Sequence, residues 1–491
     1  MDVLIATDIT KNDRWWRPIG PYCLATEMRK NNIDCNIIHR FFQYSNQELE
    51  NLIDKFVLPT TLVFGISSSF IDSVSILDEN TMKINDTVNQ YKNYTKFLPW
   101  SLDKIKWLES YLRKKSPNIK IVLGGTKSIF RTYDIFDYYF DGFSDLSFLK
   151  FVSDLSSNQK IQCKEIKNKK VVESITFPVN MQNKTVQWQA NDVIFKDEGL
   201  PIEIARGCIF RCSYCSYPSN GRSKDLSYIK SKQSIIDELQ RNYDMFGITN
   251  YQFVDDLLND STEKVEMIHD AIQSLNFKIR FSTYLRHDLF IKKFHTAQLL
   301  ADCGLVGASF GIETLNDLSG KAIGKGLSAE KTKEILHKLQ EIWPNVTIQS
   351  GFIVGLPHDN EKTYDNLFDW LNQKDCPINS FSFWPLYIRP MKNFNDVDTT
   401  KSKFETHPEL WGYTLTDAGW ENDHMNFTSA ARIAKNLEKS LSHKNTVDSW
   451  GRSSYQLLDK TINKNTLFSE IKVASFIKDI DRTYYERLMS L

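Results

Sequence analysis

The sequence predicts an α/β protein: an N-terminal Rossmann-like domain with a parallel sheet, then a partial (β/α)6 barrel and a mainly helical C-terminal extension. Three observations carry this. The chain has 491 residues, too many for one ordinary core, which suggests two or three domains. Its first section alternates short apolar runs of strand length with amphipathic helical stretches, the pattern of a parallel sheet covered on both faces. A later section repeats a strand–helix unit six times, which fits a partial barrel better than a closed eightfold one. The expected divisions are a first domain over 1–155, a linker over 156–199, the barrel over 200–390 and the extension over 391–491.

In the first domain, Val3 to Ala6 reads as a buried strand and Pro21 to Lys30 as the helix after it. Cys35 to His39 is a second strand, and Leu62 to Ile66 a third that runs into Ser67, Ser68 and Ser69. Leu102 to Lys115 carries Leu102, Ile105, Leu108 and Leu112 on one helical face. Ile119 to Leu123 is a strand ending in Gly124 and Gly125, and Tyr138 to Phe140 a last short one. Ligands of such sheets bind beyond the carboxyl ends of the strands, where small residues let a bulky group approach the backbone. Ser67, Gly124 and Gly125 are therefore candidate contacts. The stretch from Asp72 to Pro99 is longer than a usual connection.

The polar segment 156–199 reads as a linker with a small hairpin. Barrel strands are expected from Leu200 and over Tyr251–Val254, Phe277–Thr283, Val306–Phe310, Val346–Phe352 and Ser380–Trp384, with helices between them. Barrel active sites lie at the carboxyl ends of the strands. The first strand leads into a loop with Cys208, Cys212 and Cys215 in a CxxxCxxC pattern. Three thiolates are one short of a closed tetrahedral zinc site, whereas an iron–sulfur cube held by three cysteines leaves one iron open for chemistry. Three unrelated core cysteines are the plain alternative, but three of the eight cysteines fall in this one loop. At the later strand ends stand Asp255 and Asp256, Arg286, Glu313, and Gly351 with Gly355. A carboxylate can hold an ammonium by charge-assisted bonds, and an arginine fork can hold a carboxylate.

Composition bounds the partners. Lysine plus arginine equals aspartate plus glutamate, 61 each, so there is no basic footprint of a nucleic-acid binder. No apolar stretch is long enough to span a membrane, and the N-terminus does not read as a signal peptide. Few cysteines outside the loop argue for a reducing compartment, with the cytoplasm the expected location. The 31 Phe, 20 Tyr and 11 Trp can line a large organic pocket, though most aromatics in an α/β protein pack the core.

The cysteine loop, with Tyr214 as the aromatic before Cys215, resembles the cluster loop of the radical S-adenosylmethionine (SAM) superfamily. The resemblance implies a [4Fe-4S] cluster whose open iron binds SAM, an electron from an external flavodoxin- or ferredoxin-type donor, and a 5'-deoxyadenosyl radical. It implies that Asp255 or Asp256 meets the SAM ammonium, Arg286 its carboxylate, Glu313 the ribose, and the strand bearing Gly351 and Gly355 the adenine. The first domain resembles the cobalamin-binding domain found ahead of such barrels, through Pro18-Ile-Gly-Pro-Tyr-Cys-Leu-Ala25, Val122-Leu-Gly-Gly125 and Asp137 to Gly142. It lacks the DxHxxG loop that supplies a histidine to cobalt, so Asp8 to Arg17, with Arg14, Trp15, Trp16 or Arg17, is expected to cover the lower face.

The extension matches no element of that family. Trp411, Tyr413, Trp420 and His424 form an aromatic-rich stretch expected over the barrel mouth, and 429–442 and 471–488 are expected helices. The resulting expectation is a cobalamin-dependent radical SAM methyltransferase acting on an unactivated carbon of an unknown small-molecule or peptide substrate. A cobalamin-independent rearrangement, cyclisation or oxidation is the first alternative, and an iron–sulfur electron-transfer or sensory protein the second. The single cluster loop disfavours a methylthiotransferase.

Overall fold

The computed structural model describes residues 1–8, 17–67, 102–125, 135–140, 142–166, 168–173, 180–215, 226–388, 402–416, 418–444, 454–458, 462–466 and 473–491. Trp15, Trp16, Ser68, Ser69 and the stretch from Asp72 to Pro99 lie outside these residues.

The first section forms β1 (Val3–Ala6), α1 (Ile19–Lys30), β2 (Cys35–Ile38), α2 (Asn46–Phe56), β3 (Val63–Ser67), α3 (Leu102–Lys115), β4 (Lys120–Gly124), β5 (Tyr138–Phe140) and α4 (Asp145–Ser156). These strands are parallel, in the order β2-β1-β3-β4-β5. Helix α2 starts from a capping box in which Ser45 and Glu48 satisfy each other's backbone N–H groups. The hairpin expected in the linker is present as β6 (Lys164–Ile166) and β7 (Lys169–Val172). It does not stand alone: β7 pairs in parallel with β5 and extends the first sheet, because Val171 and Val172 bury against it.

Both faces of this sheet are apolar, and alternation along β1 sorts them. Leu4 and Ala6 face a core made with α2, α3 and the C-terminal helix, through Leu52, Leu108, Tyr484 and Leu488. Val3 and Ile5 belong to a second core, with Tyr22 of α1, Phe148 of α4 and Trp188, which continues into the barrel. Each such side chain contributes roughly 1.5–3 kcal/mol when fully buried. The two sheets are therefore joined by one continuous apolar body.

The barrel comprises β8 (Leu200–Ile202), α5 (Lys232–Phe246), β9 (Asn250–Phe253), α6 (Thr262–Gln273), β10 (Arg280–Leu285), α7 (His295–Asp302), β11 (Leu305–Glu313), α8 (Asp317–Ile323), α9 (Ala329–Ile342), β12 (Thr347–Val354), α10 (Glu361–Leu371) and β13 (Ser380–Pro385). Its six strands pair in parallel in sequence order from β8 to β13, so every loop after a strand opens at the same end. Helix α11 (Phe427–Ser440) packs against β13, and α12 (Val473–Ser490) returns to the first sheet. That return corrects the expectation that the whole extension caps the barrel. Tyr484 is buried against the first sheet, its hydroxyl accepts the His39 N–H, and Arg40 pairs with Asp481. Among the described residues no helix is long and apolar enough to cross a membrane.

Candidate active site

The cysteine loop leaves β8 at the carboxyl end of the barrel and is tied on three sides. Ser213 donates its N–H to Ile323 O and its hydroxyl to Ala322 O, both at the end of α8. Its carbonyl accepts the Phe404 N–H from the extension. Arg206, just before the loop, is buried between Glu203 (2.8 Å) and Asp145 of α4 (2.7 Å), which fastens the loop to the first domain. Cys212 is buried, while Cys208 and Cys215 are half-buried. Burial pushes the Cys208 thiol up. Among the described residues no three His, Cys, Asp or Glu side chains form a group for one metal ion. Thiolates of a cubane each bind a different iron and stand further apart than that, so a three-thiol donor set at an open loop fits such a cluster.

Glu313, at the end of β11, has φ +69, a left-handed conformation that is strained for a side chain of this kind. It accepts a 2.7 Å bond from the Tyr214 hydroxyl, and Lys325 Nζ stands 3.7 Å from the same oxygen. Lys325 also donates to Gly311 O at 2.7 Å. The loop aromatic, the strand-four glutamate and the lysine after α8 are thus one constellation. Burial, then the Glu313 charge, drives the Tyr214 hydroxyl well above its ordinary value, so it remains a proton donor.

The adjacent carboxylates separate. Asp255 is 1% exposed and accepts the Ile204 N–H (2.7 Å), while its other oxygen pairs with buried Lys264 (2.7 Å). It is committed to holding β8, β9 and α6 together. Asp256 is half-buried, and its carboxylate accepts a backbone hydrogen bond from Gly207, the residue before Cys208. Burial, then repulsion from Asp255 and Glu203, lifts its carboxyl to about 7. Lys264 escaped the sequence reading; a lone lysine beside Val265 and Ile268 on the apolar face of α6 was its only signal.

Arg286 differs from expectation as well. Its fork is taken by Asp288, at 2.9 and 2.6 Å, and its third nitrogen faces the Cys212 sulfur at 3.6 Å. A free fork for a carboxylate is therefore not what the structure presents. Gly351 does lie in an open strip: it pairs with Gly311 and Ser382, and a methyl group there would meet only Ser382 Oγ, at 3.9 Å. Gly355 is excluded from that strip. Its N–H donates to Tyr364 (2.7 Å), its carbonyl accepts from Tyr413 (2.7 Å), and a Cβ would lie 2.4 Å from the Trp420 ring. Its φ of +99 and this contact explain the glycine: it seats the hairpin of Thr414–Thr416 and Gly419–Glu421, which carries Trp420. Trp420 is fully buried and donates to Leu386 O, whereas His424 is exposed.

At the first sheet, Ser67 and Gly124 are register partners at the carboxyl ends of β3 and β4, and half-buried Gly125 follows. Thr7, one strand over, is fully buried, and its hydroxyl has no partner among the described residues. Arg17, expected over the lower face, is engaged within the protein. It is fully buried in an ion pair with Glu198 (2.6 Å) and bonds to Tyr22 and the Asp192 and Val193 carbonyls. His39, at the end of β2, is fully buried edge-on to Tyr484.

Residues 202–371 match the family described as the Radical SAM superfamily. Ribosomal protein uS12 methylthiotransferase RimO of Campylobacter fetus subsp. fetus is 26% identical over 196 residues, 37% of this chain and 42% of the relative. Bacteriochlorophyllide d C-12(1)-methyltransferase of Chlorobaculum tepidum is 25% identical over 189 residues, 37% of this chain and 39% of the relative. The chain thus spans about two fifths of the length of these curated relatives. The solved radical SAM methyltransferase TsrM of Kitasatospora setae, with tryptophan and a SAM analogue, has a TM-score of 0.65 at 13% identity over 98% of this chain and 99% of that one. The cobalamin-dependent SAM radical enzyme OxsB, with aqua-cobalamin and SAM, has a TM-score of 0.59 at 12% identity over 100% and 72%. At these identities the likeness is one of fold, and it runs through both sheets. The barrel that carries the cysteine loop is thus similar to the Radical SAM superfamily over residues 202–371, from β8 through α10.

Proposed function

We propose that the protein is a cobalamin-dependent radical SAM methyltransferase that acts on an unactivated carbon. The observation that carries this reading is the three-thiol loop beside Tyr214, Glu313 and Lys325 at the open end of the barrel. When bound, the cluster and SAM supply a 5'-deoxyadenosyl radical and cobalamin supplies a methyl group. Cys208, Cys212 and Cys215 would hold the cluster. Asp256, rather than Asp255, would accept the SAM ammonium, since Asp255 is committed to Lys264. Glu313, oriented by Tyr214, would accept the ribose hydroxyls, and the bare strip at Gly351 would receive the adenine. Ser67, Gly124 and Gly125, small residues at the carboxyl ends of β3 and β4, would let a large flat ring approach the backbone, and the buried Thr7 hydroxyl would offer it a polar contact. The electron comes from an external flavodoxin- or ferredoxin-type donor, and an oxygen-labile cluster suits the cytoplasm.

The test is anaerobic reconstitution with iron and sulfide, followed by hydroxocobalamin titration and a SAM-cleavage assay. We expect 5'-deoxyadenosine, and corrin binding on the order of tens of micromolar or tighter that Gly124→Trp abolishes without unfolding the domain. Absence of corrin binding by the folded protein sinks the methyltransferase reading and leaves radical SAM chemistry without cobalamin. Absence of 5'-deoxyadenosine from a fully loaded, reduced protein with substrate candidates favours the electron-transfer alternative.

A further inference from the structure

The surroundings of Cys212 point to a device that goes beyond ligand binding. Arg286 follows β10 and is 6% exposed. Its backbone is clamped by Asn259, which accepts the Arg286 N–H and donates to its carbonyl, each at 2.9 Å. Its Nε and Nη2 donate to the two oxygens of Asp288. Its plane lies over the Phe210 ring, 3.9 Å from the centroid, and Phe210 belongs to the cysteine loop itself. The remaining nitrogen, Nη1, is thereby aimed at Cys212 Sγ, 3.6 Å away.

We infer that Arg286 is a positioning residue that donates Nη1–H to the Cys212 thiolate and makes the cluster easier to reduce. This rests on the radical SAM reading, because it needs an iron-bound Cys212. Reduction adds one electron, and so one negative charge, to the cluster; the donor is the external low-potential protein named above. A guanidinium bonded to a ligand sulfur stabilises the more negative state, since hydrogen bonds to the sulfurs and nearby charge set such potentials. Asp288 acts in the opposite sense: it aims the fork while offsetting part of the positive charge. Lysine at 286 could not reproduce the two-pronged bond, the stacking and the third donor together.

The experiment is an anaerobic redox titration of the reconstituted protein without SAM, followed by the EPR signal of the reduced cluster, with iron content measured in parallel. Wild type, Arg286→Met and Asp288→Asn are compared. The expected result is about four irons per chain in each. The midpoint should shift to more negative values in Arg286→Met and to less negative values in Asp288→Asn. An unchanged midpoint in iron-replete Arg286→Met overturns the inference, because a residue that only held the SAM carboxylate would leave the SAM-free potential alone. Shifts of the same sign in both variants overturn it too, as they would report general disturbance of the loop. If Arg286→Met fails to take up iron, Asp288→Asn decides: a midpoint at or below that of wild type is fatal. Failure of wild type to build a cluster would remove the parent reading as well, and the iron content separates that outcome from the others.

Discussion

Replacing each of two neighbouring carboxylates tests whether one is structural and the other functional. Asp255→Ala removes the acceptor of the Ile204 N–H and the 2.7 Å partner of Lys264, whose side chain is fully buried. Lys264 keeps a bond to Leu257 O (2.9 Å) and a longer pairing with Asp260 (3.5 Å), so its charge is partly compensated. Breaking a buried pair on one side costs about 3–5 kcal/mol, and an abandoned backbone N–H about 1–3. Given the residual partners, we expect a loss of about 3–5 kcal/mol in all, read as a large fall in the urea midpoint of the barrel transition. Asp256→Ala should behave in the opposite way. It removes a carboxylate that burial and Asp255 disfavour, so the urea midpoint stays or rises at pH 8. Its SAM affinity should drop: one charge-assisted bond is worth about 1.5–3 kcal/mol, or roughly tenfold to a hundredfold. Equilibrium SAM binding to anaerobically reconstituted protein measures this. A wild-type midpoint for Asp255→Ala, or wild-type SAM affinity for Asp256→Ala, would refute the division of labour.

The same carboxyl predicts a pH dependence. Its folded pKa of about 7 lies above the ordinary value of 3.8, so its contribution to stability is full at acid pH and is lost as pH rises through about 7. The urea midpoint of the apo protein should fall between pH 5 and 8 more in wild type than in Asp256→Asn, whereas SAM affinity of wild type should rise over that range; parallel curves for the two proteins would count against it. Gly355→Ala would set a methyl group 2.4 Å from the Trp420 ring at a backbone φ of +99, costing about 1–3 kcal/mol in strain and a similar amount in overpacking. Its readout is a red-shifted tryptophan emission and a lower melting temperature, and an unchanged spectrum would show that the ring is not seated there. Alanine at Cys208, Cys212 or Cys215 should abolish the cluster spectrum, while alanine at Cys163, Cys303 or Cys376 leaves iron content alone. Iron loss on changing any of the latter three would contradict the three-thiol assignment.

Much of this architecture is local in origin and was therefore legible. Strand and helix periods follow from side-chain direction every two or 3.6 residues, so β1, α3 and the six barrel units could be drawn from Val3–Ala6, Leu102–Lys115 and the later repeats alone. The cysteine loop is equally local, because its three thiols are close in sequence. What the tertiary structure decided depends on partners far away in the chain. Asp255 and Asp256 are indistinguishable as neighbours until Lys264 and the Ile204 N–H claim one of them. Gly355 reads as a ligand glycine until Trp420 and Tyr413, from the extension, occupy its surface. Arg17 reads as a face residue until Glu198 neutralises it, and α12 reads as part of a cap until Tyr484 and Leu488 bury against the first sheet. In each case the sequence determined which groups could act, and burial determined which were already engaged. The physical reason is that a polar group removed from water must find a partner wherever the fold brings one, and sequence spacing does not encode that distance.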